Sequence, residues 1–294
     1  MVYDLIFVGF YWGDFMRLKI FGTAAAEGVP GLFCSCMVCE KSRELGGKNI
    51  RTRSQALIND DLLIDFSPDT YFHVLNYGLD LRPVKACIIT HGHDDHLYPY
   101  DFQYRIHGYA YFKDEENKKP LRVLATKNSA TEIKKVFEED NHSDKSAVRL
   151  EIIEKFTTYD VEGYKITALS ADHAKKLDPV IYIIQKDGKS ILWAHDTGYF
   201  LPETWEYIEN SGIVFDFVSL DCTCILNENA YGNHMGLKAC CDVKERLLKK
   251  NADDKTRFIV NHFSHNGGLC HDDLVPVATE MGFQVSFDGI EFEI

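Results

Sequence analysis

Thr90-His91-Gly92-His93-Asp94-Asp95-His96 follows directly on the apolar run Ala86-Cys87-Ile88-Ile89. Such a run reads as a buried strand, so the polar cluster lies where that strand opens into a loop. Alternate side chains of an extended segment point the same way, which puts His91 and His93 on one face. Asp95 and His96 come after the chain turns and reach a second, neighbouring point. Imidazole together with carboxylate suits a hydrolytic divalent metal. A solvated polar loop has no need of three imidazoles and two carboxylates in six residues. The stretch is read as metal-binding.

His91-x-His93-x-Asp95-His96 also resembles the HxHxDH signature of the metallo-β-lactamase superfamily. The resemblance implies an α/β fold, a four-layer αββα metallo-β-lactamase sandwich, with two metals at one edge and further ligands downstream. Leu169-Ser170-Ala171-Asp172-His173 ends a strand-like segment, and His173 would be the third ligand of the first metal. Ile191-Leu192-Trp193-Ala194-His195-Asp196-Thr197-Gly198 is an apolar strand ending in Asp-Thr-Gly, and Asp196 matches the carboxylate that bridges both metals. Phe258-Ile259-Val260-Asn261-His262 ends another strand in the expected last ligand. The implied first site is His91, His93, His173 and Asp196; the second is Asp95, His96, His262 and Asp196. Two cations roughly 3.5–4 Å apart can clamp the attacking and leaving oxygens of a phosphoryl displacement. They outweigh Asp95 and Asp196 in charge, which favours an anionic substrate. Manganese, zinc, iron and nickel all accept this ligand set.

A second cluster, Cys34-Ser35-Cys36-Met37-Val38-Cys39, follows Gly28-Val29-Pro30-Gly31. Three thiols can wrap a tetrahedral ion but leave a structural zinc shell one ligand short. His265 lies three residues after His262, and the pair resembles the HxxH of the phosphonate-pathway cyclic phosphodiesterase branch. There the second histidine closes a structural zinc with N-terminal cysteines, so the resemblance implies one structural zinc on Cys34, Cys36, Cys39 and His265. The competing readings are a disulfide, which a cytosolic chain would not keep, and three reduced structural cysteines. Nine cysteines, an odd number without even spacing, favour a reducing compartment and a cytoplasmic location. Cys87 reads as core, and Cys222-Thr223-Cys224 as a strand end more readily than a ligand pair.

The general acid has to come from outside the metal ligands. Asp221-Cys222-Thr223 ends a strand, and Gly232-Asn233-His234-Met235-Gly236 precedes a helix. His234 resembles the catalytic histidine of the superfamily's phosphodiesterases, which could protonate a leaving alkoxide. It is grouped with Asp95 and Asp196 as catalytic. Asp221, Asp65 and Asp69 are candidates to stand behind these groups. His195 should point away from the metals by strand alternation, and His73, His107, His142 and His271 match no ligand position. Residues 97–119 are rich in tyrosine and phenylalanine; they read equally as the wall of a substrate pocket, with Arg105 gripping a second anionic group, and as a surface-packed loop and helix.

With 294 residues, 45% of them hydrophobic, the chain can bury a full core. No linker-like tract interrupts it, so one domain is expected over 16–294, with 1–15 as an N-terminal extension. Leu5-Ile6-Phe7-Val8-Gly9-Phe10-Tyr11-Trp12 is apolar but far short of the about 20 residues a membrane span needs, and no basic segment precedes it. Strands are expected near 18–21, 54–58, 62–65, 86–90, 121–125, 181–185, 190–194, 215–220 and 258–260. Helices are expected near 70–77, 130–139, 201–209, 237–249 and 272–281. Asn59-Asp60-Asp61 reads as a hairpin turn.

A net charge of −13, with acids Glu245, Asp253 and Asp254 inside the richest basic cluster, Lys244 to Lys255, argues against a nucleic-acid partner, and no membrane partner is expected. The expected partner is a small anionic phosphodiester, cyclic ones included, and a homodimer is compatible with the sequence. The expected activity is that of a dinuclear metal-dependent phosphodiesterase. Alternatives are a carboxylic ester, lactone or thioester hydrolase, which would not require His234; an RNA-processing nuclease; and a non-hydrolytic relative from quinone-cofactor biosynthesis.

Overall fold

The computed structural model describes residues 15–113, 115, 118–139 and 147–294. Nearly all of the extension, 1–14, lies outside the described residues, as does His142. The strands are β1 (Arg17–Gly22), β2 (Gln55–Ile58), β3 (Leu62–Ile64), β4 (Ala86–Ile88), β5 (Leu121–Ala125), β6 (Val148–Ile152) and β7 (Thr158–Val161). They continue as β8 (Tyr164–Ser170), β9 (Val180–Lys186), β10 (Lys189–Ala194), β11 (Phe217–Asp221), β12 (Arg257–Asn261), β13 (Gln284–Val285) and β14 (Ile290–Glu293). The helices are α1 (Met37–Leu45), α2 (Thr70–Asn76), α3 (Lys127–Glu139), α4 (Pro202–Asn210), α5 (Leu237–Leu247) and α6 (His271–Glu280).

Two seven-stranded sheets result, ordered β14-β1-β2-β3-β4-β5-β6 and β13-β12-β11-β10-β9-β8-β7. Strand alternation explains why they stack. In β10, Ile191 and Trp193 join an inter-sheet core with Leu18, Ile64 and Ile88 of the other sheet. Leu192 and Ala194 point the opposite way, onto Trp205 of α4 and Cys240 and Val243 of α5. In β4, Ala86 and Ile88 face the inter-sheet core, whereas Cys87 packs outward with Ala130 and Ile133 of α3. Both faces of each sheet are therefore apolar, and helices must cover the outer ones. The outcome is the αββα sandwich.

Strands β3 to β6 run parallel, as do β10 to β13. Their carboxyl ends gather on one edge of the sandwich, the usual place for ligands in α/β sheets. The β2–β3 hairpin pairs Ile58 with Leu62 and turns through Asn59 and Asp60 with φ of 49° and 67°, which brings the Asp61 N–H onto the Ile58 carbonyl at 3.1 Å. Some of these elements were not expected from the sequence. β6 and β7 are edge strands with half-exposed faces, so they carry little apolar alternation. β13, also at an edge, is too short to show any period. β14 pairs with β1 across almost the whole chain length. α1 starts inside the cysteine cluster, where the Cys36 thiol accepts the Cys39 backbone N–H as its N-cap.

Among the described residues, no helix is long and apolar enough to cross a membrane.

Candidate metal centre

Each ligand candidate sits just beyond a strand's carboxyl end, and the edge described above brings them together. Ligand atoms of His91, His93, His173 and Asp196 all lie within 4.8 Å of one another, as do those of Asp95, His96, Asp196 and His262. In the first set, His91 Nε2 stands 2.8 Å from His93 Nδ1, and His173 Nε2 stands 3.2 Å from the same nitrogen. In the second, His96 Nε2 is 2.9 Å from Asp196 Oδ2, 3.2 Å from Asp95 Oδ2 and 3.2 Å from His262 Nε2. Asp196 is thus common to both sets. Asp94 is exposed and belongs to neither.

This donor set fits cations. Its imidazoles and carboxylates converge with too few protons between them, and buried Asp196 Oδ1 has no hydrogen-bond partner. Such an atom is costly unless a cation satisfies it. Burial brings His91 down to about 4, with neighbouring His96 acting the same way, so it stays neutral, the form that ligates metal. For Asp196, burial alone would raise the pKa; His262 and His96 outweigh it and hold the carboxyl well below the usual range.

Further residues orient the rings. Asp65 accepts from His96 Nδ1 at 2.7 Å and from Thr90 N at 2.8 Å, which turns His96 Nε2 towards the site. Thr223 Oγ1 lies 2.8 Å from His262 Nδ1, and His173 Nδ1 donates to the Asn233 carbonyl at 3.1 Å. Partners of this kind set the tautomer and aim of a ligating imidazole. Asp65, Asp196 and His262 all have positive φ, 62°, 49° and 62°. Non-glycine residues hold that conformation at a cost of about 1–3 kcal/mol each, and such strain concentrates at functional sites. Gly198 is required beside them, since a Cβ there would come within 2.4 Å of the Tyr231 carbonyl oxygen.

His234 lies next to the two sets. Its Nδ1 is 3.1 Å from Asp221 Oδ2 and 3.3 Å from Asp196 Oδ1. Burial would lower its pKa, but Asp221 and then Asp196 outweigh that and raise it to about 9. Cations shared with Asp196 would oppose the rise. With Asp196, Asp221 and His262, His234 also forms a set that could hold a metal. Asp221, however, is already supplied with donors: Asp196 N, Thr223 N, Thr223 Oγ1 and Met235 N, at 3.0–3.1 Å. A carboxylate so occupied suits orienting His234 better than ligation.

The other cluster is assembled across the fold. Ligand atoms of Cys34, Cys36, Cys39 and His265 lie within 4.8 Å of one another. His265 Nδ1 is 3.6 Å from Cys34 Sγ and 3.5 Å from Cys36 Sγ, and the Gly31 N–H donates to Cys39 Sγ at 3.3 Å. Burial opposes ionisation of Cys36, but the Cys39 backbone N–H and the neighbouring thiols bring it to about 6; burial pushes Cys39 up to about 12. A Cβ on Gly31 would stand 3.2 Å from Cys34 Cβ and 3.3 Å from His265 Nε2, so glycine lets the loop close over the cluster. A Cys36→Ser/His265→Ala variant is expected to carry about one equivalent less zinc by elemental analysis, with a lower Tm. Unchanged zinc content would remove the assignment.

Two sequence expectations are corrected. Asp69 pairs with Arg53 at 2.9 Å and caps its backbone N–H, away from the metal sets, so Asp65 alone of that pair backs a ligand. The described part of 97–119 does not line the cleft. Tyr98, Tyr100, Tyr104, Tyr109 and Tyr111 are exposed, and Arg105 lines a separate pocket with Lys85, Lys119, Arg122 and Arg149. That pocket lies near the amino ends of β4 to β6, at the opposite strand ends from the ligand candidates. The cleft itself, about 440 Å³, is walled by Ala25, Ala26, Glu27, Thr223, Cys224, Asn227, Ser264 and Asn266, with His93, Asp95, His173, Asp196, His234 and His262 at its floor. Sequence reasoning missed Glu27, Asn227 and Asn266; their one signal was proximity in sequence to Gly28, Cys224 and His265. His195 faces away, 2.6 Å from Ser219 Oγ. His73 is a core residue held by Gln55 and Thr52, and His271 lies against Arg51. His107 takes part in no metal set.

Two curated proteins match segments of the chain. One is the octanoyltransferase of Porphyromonas gingivalis, 38% identical over 86 residues, which are 28% of this chain and 16% of that protein. The other is coenzyme PQQ synthesis protein B of Methylobacterium radiotolerans, 33% identical over 95 residues, 28% of this chain and 31% of that protein. The match therefore spans less than a third of either relative. Among solved structures, a diphosphatase from the PhnP family superposes with a TM-score of 0.71 at 21% identity, over 95% of this chain and 97% of that one. Zinc-bound PqqB from Methylobacterium extorquens superposes with a TM-score of 0.72 at 18% identity, over 95% and 100%. Residues 61–291, which contain every histidine and aspartate of the two candidate metal sets, match the model of the β-lactamase superfamily domain. By that match and by its αββα sandwich, the chain belongs to the metallo-β-lactamase superfamily of metal-dependent hydrolases.

Proposed function

We propose that the chain is a dinuclear metal-dependent phosphodiesterase acting on a small phosphodiester, cyclic ones included. The observation that carries this reading is the His234–Asp221 pair beside Asp196. In hydrolysis of a carboxylic ester or lactone the tetrahedral intermediate can form before the alkoxide leaves, whereas a phosphodiester displacement expels its alkoxide in the transition state itself, where a positioned acid counts most. His91, His93, His173 and Asp196 would hold one cation, and Asp95, His96, His262 and Asp196 the other. When bound, the pair would polarise the phosphoryl oxygens and supply a nucleophile from water near neutral pH.

The remaining work falls to side chains. Asp221 accepts from His234 Nδ1, which leaves Nε2 as the nitrogen His234 offers to the cleft it lines. From there it would deliver a proton to the departing oxygen. Asp65 and Thr223 keep His96 and His262 from rotating as charge shifts. Structural likeness to the PhnP-family diphosphatase is in keeping with phosphoryl chemistry. The absence of Lys and Arg from the described cleft wall supports a short substrate over a polynucleotide. Nine cysteines, an odd number and none of them disulfide-bonded, support a reducing, cytoplasmic setting.

The partial match to coenzyme PQQ synthesis protein B favours one other reading, a role in cofactor synthesis without diester hydrolysis. Metal-loaded protein assayed on bis(p-nitrophenyl) phosphate and on a lactone panel separates the readings. Turnover of the diester is the expected result. Turnover of lactones alone would select the ester-hydrolase alternative, and inactivity on both would select the cofactor-synthesis reading.

A further inference from the structure

We propose that Glu27 is a specificity-determining residue, a fixed negative charge in the wall of the catalytic cleft that rejects substrates carrying a second anionic group. It would instead favour those whose substituent bears hydroxyl groups. This rests on the phosphodiesterase reading and names the substrate class within it.

Glu27 is held in place from several sides. The Ala25 N–H donates to the Phe263 carbonyl at 2.9 Å, and the Gly28 N–H to the Ala25 carbonyl at 3.0 Å, which fixes the backbone on either side. Its Oε1 accepts a short hydrogen bond from Ser264 Oγ. The same oxygen is 3.6 Å from His265 Nε2, on a ring whose Nδ1 faces Cys34 and Cys36. One ring nitrogen towards the thiols and the other towards a carboxylate is the arrangement that orients a ligating histidine. The hydrogen bond from Ser264, with His265 close beside it, thereby keeps Glu27 at the cleft rather than leaving it to swing into solvent.

The surroundings give that charge its effect. Among the described residues that line the cleft, none is Lys or Arg. Arg53, which donates through Nε to the Ala26 carbonyl, commits Nη1 to Asp69 and does not line the cleft. A substituent extending beyond the reacting phosphoryl group meets Glu27, Ser264 and Asn266 on one side and Cys224 and Asn227 on the other. Those groups can exchange hydrogen bonds with hydroxyls. A carboxylate or second phosphate would find no cation there, and Glu27 would repel it at short range.

The test uses a matched pair of non-hydrolysable ligands, 3-hydroxypropylphosphonate and 3-phosphonopropionate, which differ in a hydroxyl against a carboxylate. Their binding to the metal-loaded protein is measured by calorimetry. The wild type should bind the hydroxyl compound about tenfold more tightly or better, and Glu27→Gln should narrow that ratio to about twofold by tightening the carboxylate compound. Glu27→Asp keeps the charge and should keep the preference. Zinc content and Tm, compared with wild type, show that each variant is folded. An unchanged ratio in Glu27→Gln, or no preference in the wild type, overturns the role of Glu27 while leaving phosphoryl binding intact. Binding of neither phosphonate overturns the phosphodiesterase reading, and this inference with it.

Discussion

Asp196→Ala is expected to lower the catalytic metal content from about two equivalents to near none, because a carboxylate common to both ligand sets would serve both ions. The geometry makes the substitution severe. Asp196 Oδ2 lies 3.2 Å from His91 Nε2 and 2.9 Å from His96 Nε2, so it joins the two ligand sets at their only shared residue. Replacement of an orienting partner typically costs 10–100-fold in metal affinity, and loss of a ligand shared by two ions should exceed that. Two measurements check this. Elemental analysis should show zinc retained at the cysteine–histidine cluster and the catalytic pair lost. The Tm of the variant should no longer rise on adding manganese or zinc, since stabilisation by a ligand requires binding to the folded state. Full occupancy in Asp196→Ala would show that the carboxylate is misassigned.

His234→Ala should behave differently, and the contrast separates binding from proton transfer. His234 sits on Asp221 and at the edge of the metal sets, so both catalytic ions should be retained. Activity on alkyl or cyclic phosphodiesters should fall about 10²–10⁴-fold, the usual contribution of a positioned general acid. A p-nitrophenolate leaving group needs little protonation, so bis(p-nitrophenyl) phosphate should lose far less. Equal losses on the two substrate types would make His234 a phosphate-binding residue. Loss of a metal equivalent would make it a ligand, in the set it forms with Asp196, Asp221 and His262. Asp221→Asn should reproduce the substrate-dependent pattern more weakly, since the imidazole would remain but lose its orienting partner.

The signals legible in the chain were of one kind. His91, His93, Asp95 and His96 are near neighbours in sequence, so strand alternation and one turn suffice to predict that they act together. His173, Asp196 and His262 each end an apolar strand, and that position alone marks them as residues of the sheet edge. Periodicity likewise separates the inter-sheet residues of β10, Ile191 and Trp193, from the helix-facing Leu192 and Ala194. It is weaker for β6 and β7, because an edge strand has less burial to encode. α1 lay hidden because its cap is a cysteine, a residue read first for its metal chemistry.

The strand ends that bear the ligand candidates and the alternation that stacks two sheets are local properties, and the sequence by itself determined them. The cleft wall was decided by tertiary structure alone. Glu27 meets Ser264 and His265 across more than two hundred residues, and no local pattern records that approach. Arg105 shows the converse: close in sequence to the metal-binding run, it is carried to the amino ends of β4 to β6, where it cannot reach the metals. Asp65 and Asp69 are near neighbours and equally plausible by residue type, yet only Asp65, with φ of 62°, turns towards His96, while Arg53 captures Asp69. The physical reason is common to these cases. Alternation and strand ends follow from backbone geometry within a few residues, whereas a side chain's partner across the fold depends on how separately formed sheets and loops come to pack.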